Sequence, residues 1–153
     1  MDEPAPQATV HAAIQELQRL SELFQRRRVQ LARRVGLTEQ QWRVLEQISS
    51  EHFMPSMFAR DNESSAAAVS KTIRQLLDKN LIVVSISQGD GRQRDYDLTA
   101  EGKRTLATLR RHRKRAIDTI WATMPARQLE DFRATAAHLT ARIEAYAAEE
   151  KKE

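Results

Sequence analysis

The chain has no cysteine, which removes disulfides, thiolate metal sites and cysteine-based redox sensing from its repertoire. Aromatic residues make up only 5% of its 153 residues, whereas charged residues make up 30%. One copy therefore lacks the apolar mass for a large globular core, and a single domain, or one small core with helical arms that need a partner, is expected. No apolar run approaches the roughly 20 residues that a membrane span needs. The opening Met1-Asp-Glu-Pro-Ala-Pro6 is acidic and has no apolar signal region, so a cytoplasmic protein without a membrane partner is expected. His11, His52, His112 and His138 are scattered, with no HExxH or similar metal spacing, and Ser64, Ser65 and Ser70 have no evident His/Asp relay. Gly89-Asp90-Gly91 lacks both a Walker lysine and carboxylates at EF-hand spacing. These absences predict no enzyme activity, no metal and no cofactor.

What is present is patterned. The formal net charge is only +4, but the cations crowd into Arg26 to Arg28, a segment around Arg92 and Arg94, and Arg110 to Arg115, so a basic patch is implied. The first and last of these runs sit at helical spacing and read as solvated faces. Val10, Ile14, Leu17, Leu20, Phe24, Leu31 and Val35 keep the three-to-four spacing of a long amphipathic helix that Gly36 should end. Thr38 with Gln41 forms a capping box for a second helix carrying Trp42, Leu45 and Ile48, with Trp42 in the core. A short helix should follow over Ser56 to Asp61. Toward the end, Leu106, Leu109, Ile117, Ile120 and Trp121, then Leu129, Phe132, Leu139, Ile143 and Tyr146, trace two amphipathic helices separated near Pro125. A single chain of this size cannot cover all of these stripes, which predicts dimerisation.

The middle of the chain carries the chemistry. Ser65 can cap a helix whose Val69, Ile73, Leu76 and Leu77 share one side, and Asn80 stands where a left-handed stop is needed. The other side holds Ala67, Ala68, Ser70, Lys71, Arg74 and Gln75. Small residues allow close approach, Ser70 and Gln75 can hydrogen-bond base edges, and Lys71 or Arg74 can reach phosphate or guanine. Ile82, Val84 and Ile86, then Tyr96 and Leu98, alternate as two strands around a tip from Gln88 to Gln93. Two glycines let that tip turn sharply, and Asp90, two residues before Arg92, is placed to orient its guanidinium. An arginine held there suits a narrow minor groove. A helix plus a basic ribbon is the pair needed to read a duplex, and double-stranded DNA is the expected partner.

Leu37-Thr-Glu-Gln-Gln-Trp-Arg-Val-Leu45, Phe58-Ala59, Val69-Ser70 to Leu77 with Leu81-Ile82, and above all Asp90-x-Arg92-x-Arg94 followed by Leu98-Thr99-x-x-Gly102, resemble the multiple-antibiotic-resistance regulator (MarR) family of winged helix-turn-helix transcription factors. The resemblance spans about residues 8 to 148. It implies a mainly α fold with a small β-wing and long terminal helices forming a dimerisation domain, in a homodimer whose first, fifth and sixth helices interlock. It carries to Val69-Ser70 and their neighbours the role of major-groove helix, to Arg92 that of minor-groove insertion, and to Asp90 that of its orienting partner, with Arg94 in the same wing motif. The expected organisation is a disordered tail over 1–7, dimerisation helices over 8–35 and 100–148, a DNA-binding region over 37–99, and a charged tail over 149–153. The resemblance further implies a repressor on a pseudo-palindromic operator, released by a small phenolic or anionic effector that no motif here specifies. A winged-helix protein-protein interaction module is the alternative. In the turn before the major-groove helix, the family's usual Gly and apolar residue are replaced by Asn62, Glu63 and Ser64, and Ala66-Ala67-Ala68 replaces its usual Pro and hydroxyl residues.

Overall fold

Two residues in the left-handed region divide the chain where helices must stop. Gly36, at φ 74°, follows α1 (Gln7–Arg34), and the Leu37 N–H reaches back to the Ala32 carbonyl at 3.0 Å. Asn80, at φ 56°, follows α4 (Ala66–Asp78), where the Leu81 N–H bonds the Leu76 carbonyl at 3.0 Å and the Asn80 N–H bonds that of Leu77 at 2.9 Å. Both are the reverse-turn closures that satisfy the last helical carbonyls, made by the two residue types that adopt positive φ most readily. The structure, a computed structural model, describes residues 4–152. Residues 1–3 of the expected N-terminal tail and residue 153 of the expected C-terminal one lie outside the described residues, and α1 already begins at Gln7.

Between those stops lie α2 (Glu39–Ser50) and α3 (Pro55–Asp61); after them come β1 (Ile82–Ile86), β2 (Arg94–Leu98), α5 (Ala100–Ile120) and α6 (Ala126–Glu150). The fold is mainly α with a two-stranded antiparallel wing, as expected. The α2 capping box is complete: Thr38 Oγ1 accepts from the Gln41 N–H and Gln41 Oε1 accepts from the Thr38 N–H, each at 3.1 Å. Proline occupies the first position of α3, where its missing N–H costs nothing. The register pairs Ile82 with Leu98, Val84 with Tyr96 and Ile86 with Arg94, which places those six side chains on one face.

The chain up to His112 forms one compact unit and the part from Arg113 a second, so the boundary falls inside α5. The core of the first joins Leu31 and Ala32 of α1, Trp42, Val44 and Leu45 of α2, Phe53, Phe58, Val69, Leu76, Ile82, and Leu106 and Leu109 of α5. The apolar stripe of α1 thus splits. Its C-terminal end is buried, but Val10, Ile14, Leu17 and Phe24 stay 44–47% exposed. In the second unit, Trp121 packs on Phe132 with ring centroids 6.4 Å apart, and no residue of α6 is buried. Ile143 and Tyr146 are more than half exposed.

The turn between α3 and α4 shows how the chain manages without the glycine. Glu63 takes φ 50°, a conformation costing a non-glycine residue about 1 kcal/mol, and its neighbours hold it there. Asn62 Nδ2 donates to the Phe58 carbonyl at 2.9 Å and the Ser64 N–H to that of Ala59 at 2.8 Å. Ser65 then caps α4, its hydroxyl accepting from the Ala68 N–H at 3.1 Å.

Candidate nucleic-acid interface

The α4 sequence sorts itself by azimuth. Val69, Thr72, Ile73 and Leu76 are buried, and Thr72, the one polar member of that set, spends its hydroxyl on the Ala68 carbonyl at 3.0 Å. At 100° per residue, Ala67, Lys71 and Arg74 point the opposite way, with Ala68 and Ser70 flanking them. All five are exposed. Asp78, one turn beyond Arg74, ends this outward row with an acid.

Gln75 has a different standing from its neighbours. It is half-buried, and its amide oxygen accepts from Gln41 Nε2 at 3.0 Å. Gln41 itself is 3% exposed and also accepts from Lys79 Nζ at 3.1 Å; that ammonium donates in addition to the Gly36 carbonyl. The end of α4 is therefore tied to the α1–α2 junction by hydrogen bonds to groups 34 to 43 positions away in sequence, the Gln41 side chain and the Gly36 carbonyl.

The wing carries Arg92 and Arg94, both exposed, on a tip whose shape is set by its own main chain. The Ser87 N–H bonds the Gln93 carbonyl at 2.8 Å and the Gln93 N–H bonds the Asp90 carbonyl at 2.9 Å. Asp90 differs from the sequence reading in one respect: its carboxylate accepts from the backbone N–H of Arg92 at 3.1 Å, two residues on. The short aspartate side chain reaches the nearest main-chain donor in this tight turn. Asparagine offers the same acceptor and alanine offers none. Exchange of the Arg92 amide is thus expected to speed up about fivefold in Asp90→Ala, for a bond of about 1 kcal/mol, and to stay at the parent rate in Asp90→Asn. Equal acceleration in both variants would return the role to the charge.

Further down the wing, His52 in the α2–α3 connection lies with Nε2 3.0 Å from Gln93 Nε2 and Nδ1 3.9 Å from Asp95 Oδ1, at a shallow cleft that Ser49, Glu51 and Asp97 also line. Neither this contact nor the Gln41 network was legible in the sequence. The partners are distant in the chain, and only the capping-box half of Gln41's bonding has a local signature. On the wing's inner face, Ile86 follows the apolar alternation yet is 69% exposed, because on β1 the core ends at Ile82, and Val84 is already 40% exposed.

Some of the cations elsewhere are paired with carboxylates. Arg28 and Arg43 meet Glu39 at 2.9 and 3.0 Å, Arg110 meets Glu46 at 2.8 Å, and Lys114 meets Asp118 at 2.6 Å. Arg28 in addition lies over the Trp42 ring, 5.7 Å from its centroid, so only part of the Arg26 to Arg28 run is a solvated face. Among the described residues, Lys71, Arg74, Arg92 and Arg94 have no carboxylate partner, and neither do Arg26, Arg27, Arg33, Arg34, Lys103, Arg111, Arg113 and Arg115; what sets the first four apart is their place on α4 and the wing that follows it. Among the same residues no group of three His, Asp or Glu side chains is placed to hold a metal, and no helix is long and apolar enough to cross a membrane.

Residues 35–93 match the sequence model of the MarR family. No curated protein matches the chain by sequence. Among solved structures, a MarR family transcription regulator superposes with a TM-score of 0.82 at 16% identity, covering 92% of this chain and 93% of its own. YusO from Bacillus subtilis gives 0.65 at 24% identity over 92% of this chain and 99% of its own. MepR of Staphylococcus aureus in complex with DNA gives 0.67 at 15% identity over 83% of this chain and 93% of its own. The chain thus resembles the MarR family in sequence over residues 35–93 and has the winged-helix fold of a MarR family transcription regulator over 92% of its length.

Proposed function

We propose that this chain is a sequence-specific regulator of transcription that binds double-stranded DNA. Residues 37–99 form the reading part, with α4 in the major groove and Arg92 of the wing in the minor groove. The observation that carries this is the set of uncompensated cations on adjoining elements of the chain: Lys71 and Arg74 on a capped helix with small residues at its start, Arg92 and Arg94 on the ribbon that follows. A groove lined by phosphates supplies the missing negative charge, and the small residues let the helix approach. The DNA complex of MepR, a protein of similar fold, supports the same reading.

The function includes a homodimer built from residues 8–35 and 100–148, because the apolar stripes of α1 and α6 are left exposed in one copy and need a cover. Two-fold symmetry then requires a pseudo-palindromic operator with half-sites about one helical turn apart. In this reading the protein acts as a repressor and is released by a small phenolic or anionic effector. Sedimentation across protein concentrations is expected to give a dimer with no folded monomer; a compact, cooperatively melting monomer would remove the basis for the symmetric operator.

The direct test is selection of bound duplexes from a random pool at a stated salt concentration, followed by single-base changes in the selected site. Arg74→Ala is expected to lose about 1–3 kcal/mol with relaxed preference at one position per half-site, since a planar fork matches guanine. Lys71→Ala is expected to weaken all sequences alike and to flatten the salt slope by about one unit. Selection of no duplex would favour the protein-interaction module, and uniform losses in both variants would take α4 out of the groove.

A further inference from the structure

Ile86 is more exposed than any other large apolar side chain among the described residues. The face that β1 turns to the body runs through Ile82, Val84 and Ile86, exposed 2%, 40% and 69% in that order. The paired residues of β2 follow the same gradient, from half-buried Leu98 and Tyr96 to exposed Arg94. Alternation fixes the side to which each residue points, so Ile86 looks the same way as buried Ile82, at a level the core no longer reaches. The register sets it opposite Arg94, and the Ser87 N–H, bonded to the Gln93 carbonyl at 2.8 Å, continues the pairing one residue beyond. The isoleucine is therefore held in place on the ribbon. The next most exposed apolar residues, Tyr146, Ile120 and Ile143, lie on α5 and α6, where a second copy of the chain is the proposed cover; Ile86 belongs to neither helix.

With α4 in the major groove and Arg92 in the minor groove, the paired part of the wing crosses the sugar-phosphate backbone that separates the two grooves. Its body-side face is the one turned toward that backbone, because α4 packs on the same side: Val69 and Leu76 of the helix share one core with Ile82 of the strand. A backbone offers phosphate oxygens and the apolar C–H edges of deoxyribose. Arg94 suits the first. Isoleucine gains nothing from a phosphate, but it leaves water when it meets a sugar edge. We propose that Ile86 is a DNA-contacting residue of the wing, packing on a deoxyribose of the strand between the two grooves. The assignment rests on the DNA reading of α4 and Arg92. A sugar is the same under every base and its burial releases no counterion, so the contact adds affinity that depends neither on sequence nor on salt.

The experiment measures affinity and salt slope of the full-length parent, Ile86→Ala, Ile86→Val and Arg92→Ala on the duplex the parent selects and on its single-base changes. Ile86→Ala is expected to bind all of these duplexes about fivefold more weakly, the size expected for partial burial of the three carbons removed, with the parent's salt slope. Ile86→Val keeps two of those carbons and should stay within about twofold of the parent. Arg92→Ala is expected to flatten the slope by about one unit, which also marks a wing that has lost its groove. Alanine is a poorer strand former than isoleucine, and a ribbon loosened for that reason would take Arg92 out of the groove and flatten the slope in Ile86→Ala too. Three results overturn the assignment: parent affinity in Ile86→Ala, a loss confined to duplexes with thymine at one position, which marks a methyl contact in the major groove, or a flattened slope. Each leaves the parent's selected duplex, and with it the DNA reading, intact. A parent that selects no duplex removes both.

Discussion

Replacing Gly102 by Ala is expected to destabilise the protein by about 3 kcal/mol, the upper range for overpacking. At roughly 2–4 °C per kcal/mol for a chain of this size, the melting temperature should fall by roughly 10 °C. A Cβ at this position would overlap the Leu81 carbonyl oxygen and stand 3.1 Å from its carbon. That carbonyl cannot withdraw, because it accepts from the Thr99 N–H at 3.0 Å and belongs to a residue buried where α4 hands over to β1. Thr99 completes the knot: its hydroxyl donates to the Asn80 carbonyl at 2.7 Å and accepts from the Gly102 N–H at 3.0 Å. The start of α5 is therefore nailed to the end of α4 by backbone atoms and the Thr99 hydroxyl. Calorimetry on Gly102→Ala checks this, and a change below about 0.5 kcal/mol, the usual size of a neutral surface substitution, would mean that the helix start slides freely.

Phe53→Ala should cost still more, about 4 kcal/mol. The ring is 2% exposed and touches two others, Phe58 with centroids 5.5 Å apart and Tyr96 edge-on at 5.6 Å. Phe58 belongs to α3 and Tyr96 to β2, opposite Val84, so this one side chain joins the helical part to the wing. The cavity left behind removes packing from both sides. Amide exchange in β1 and β2 is expected to accelerate more than in α2, whereas Phe53→Leu, which leaves a smaller void, should lose less than half as much. Uniform acceleration across all elements would show that the ring contributes to global stability only and does not hold the wing in particular.

What could be read from the residues, and what could not, divides by distance along the chain. The Thr38–Gln41 box, the stops at Gly36 and Asn80, the Ser65 cap and the alternation of β1 and β2 are local devices, and each appears where its pattern put it. Leu98-Thr99-x-x-Gly102 was recognisable as a family motif, but its physical reason, the approach of the Leu81 carbonyl, comes from a partner about 20 residues away. Glu63 in the left-handed region could not be foreseen because the bonds that stabilise it, from Asn62 and Ser64, exist only once α3 has formed. The outward residues of α4 and the wing were found from periodicity. The bond from Gln41 to Gln75 was not, since periodicity gives an azimuth and says nothing of a buried amide on another helix. Arg28 likewise looked like part of a solvated run until Glu39 and Trp42 folded against it.

The hydrogen bonds at the wing tip bear on the entropy of association. Because Ser87, Asp90, Arg92 and Gln93 are joined by main-chain hydrogen bonds and the Asp90 carboxylate, the loop has one defined shape before any encounter, and its backbone disorder need not be quenched there. What remains free is the Arg92 side chain, whose immobilisation costs on the order of 0.5–1.5 kcal/mol. A tip of the same composition without those bonds would have to order several residues at about 1–2 kcal/mol each, a sum comparable to everything one guanidinium can gain in a groove. On the proposed minor-groove role of Arg92, the preformed turn spares the chain that ordering cost.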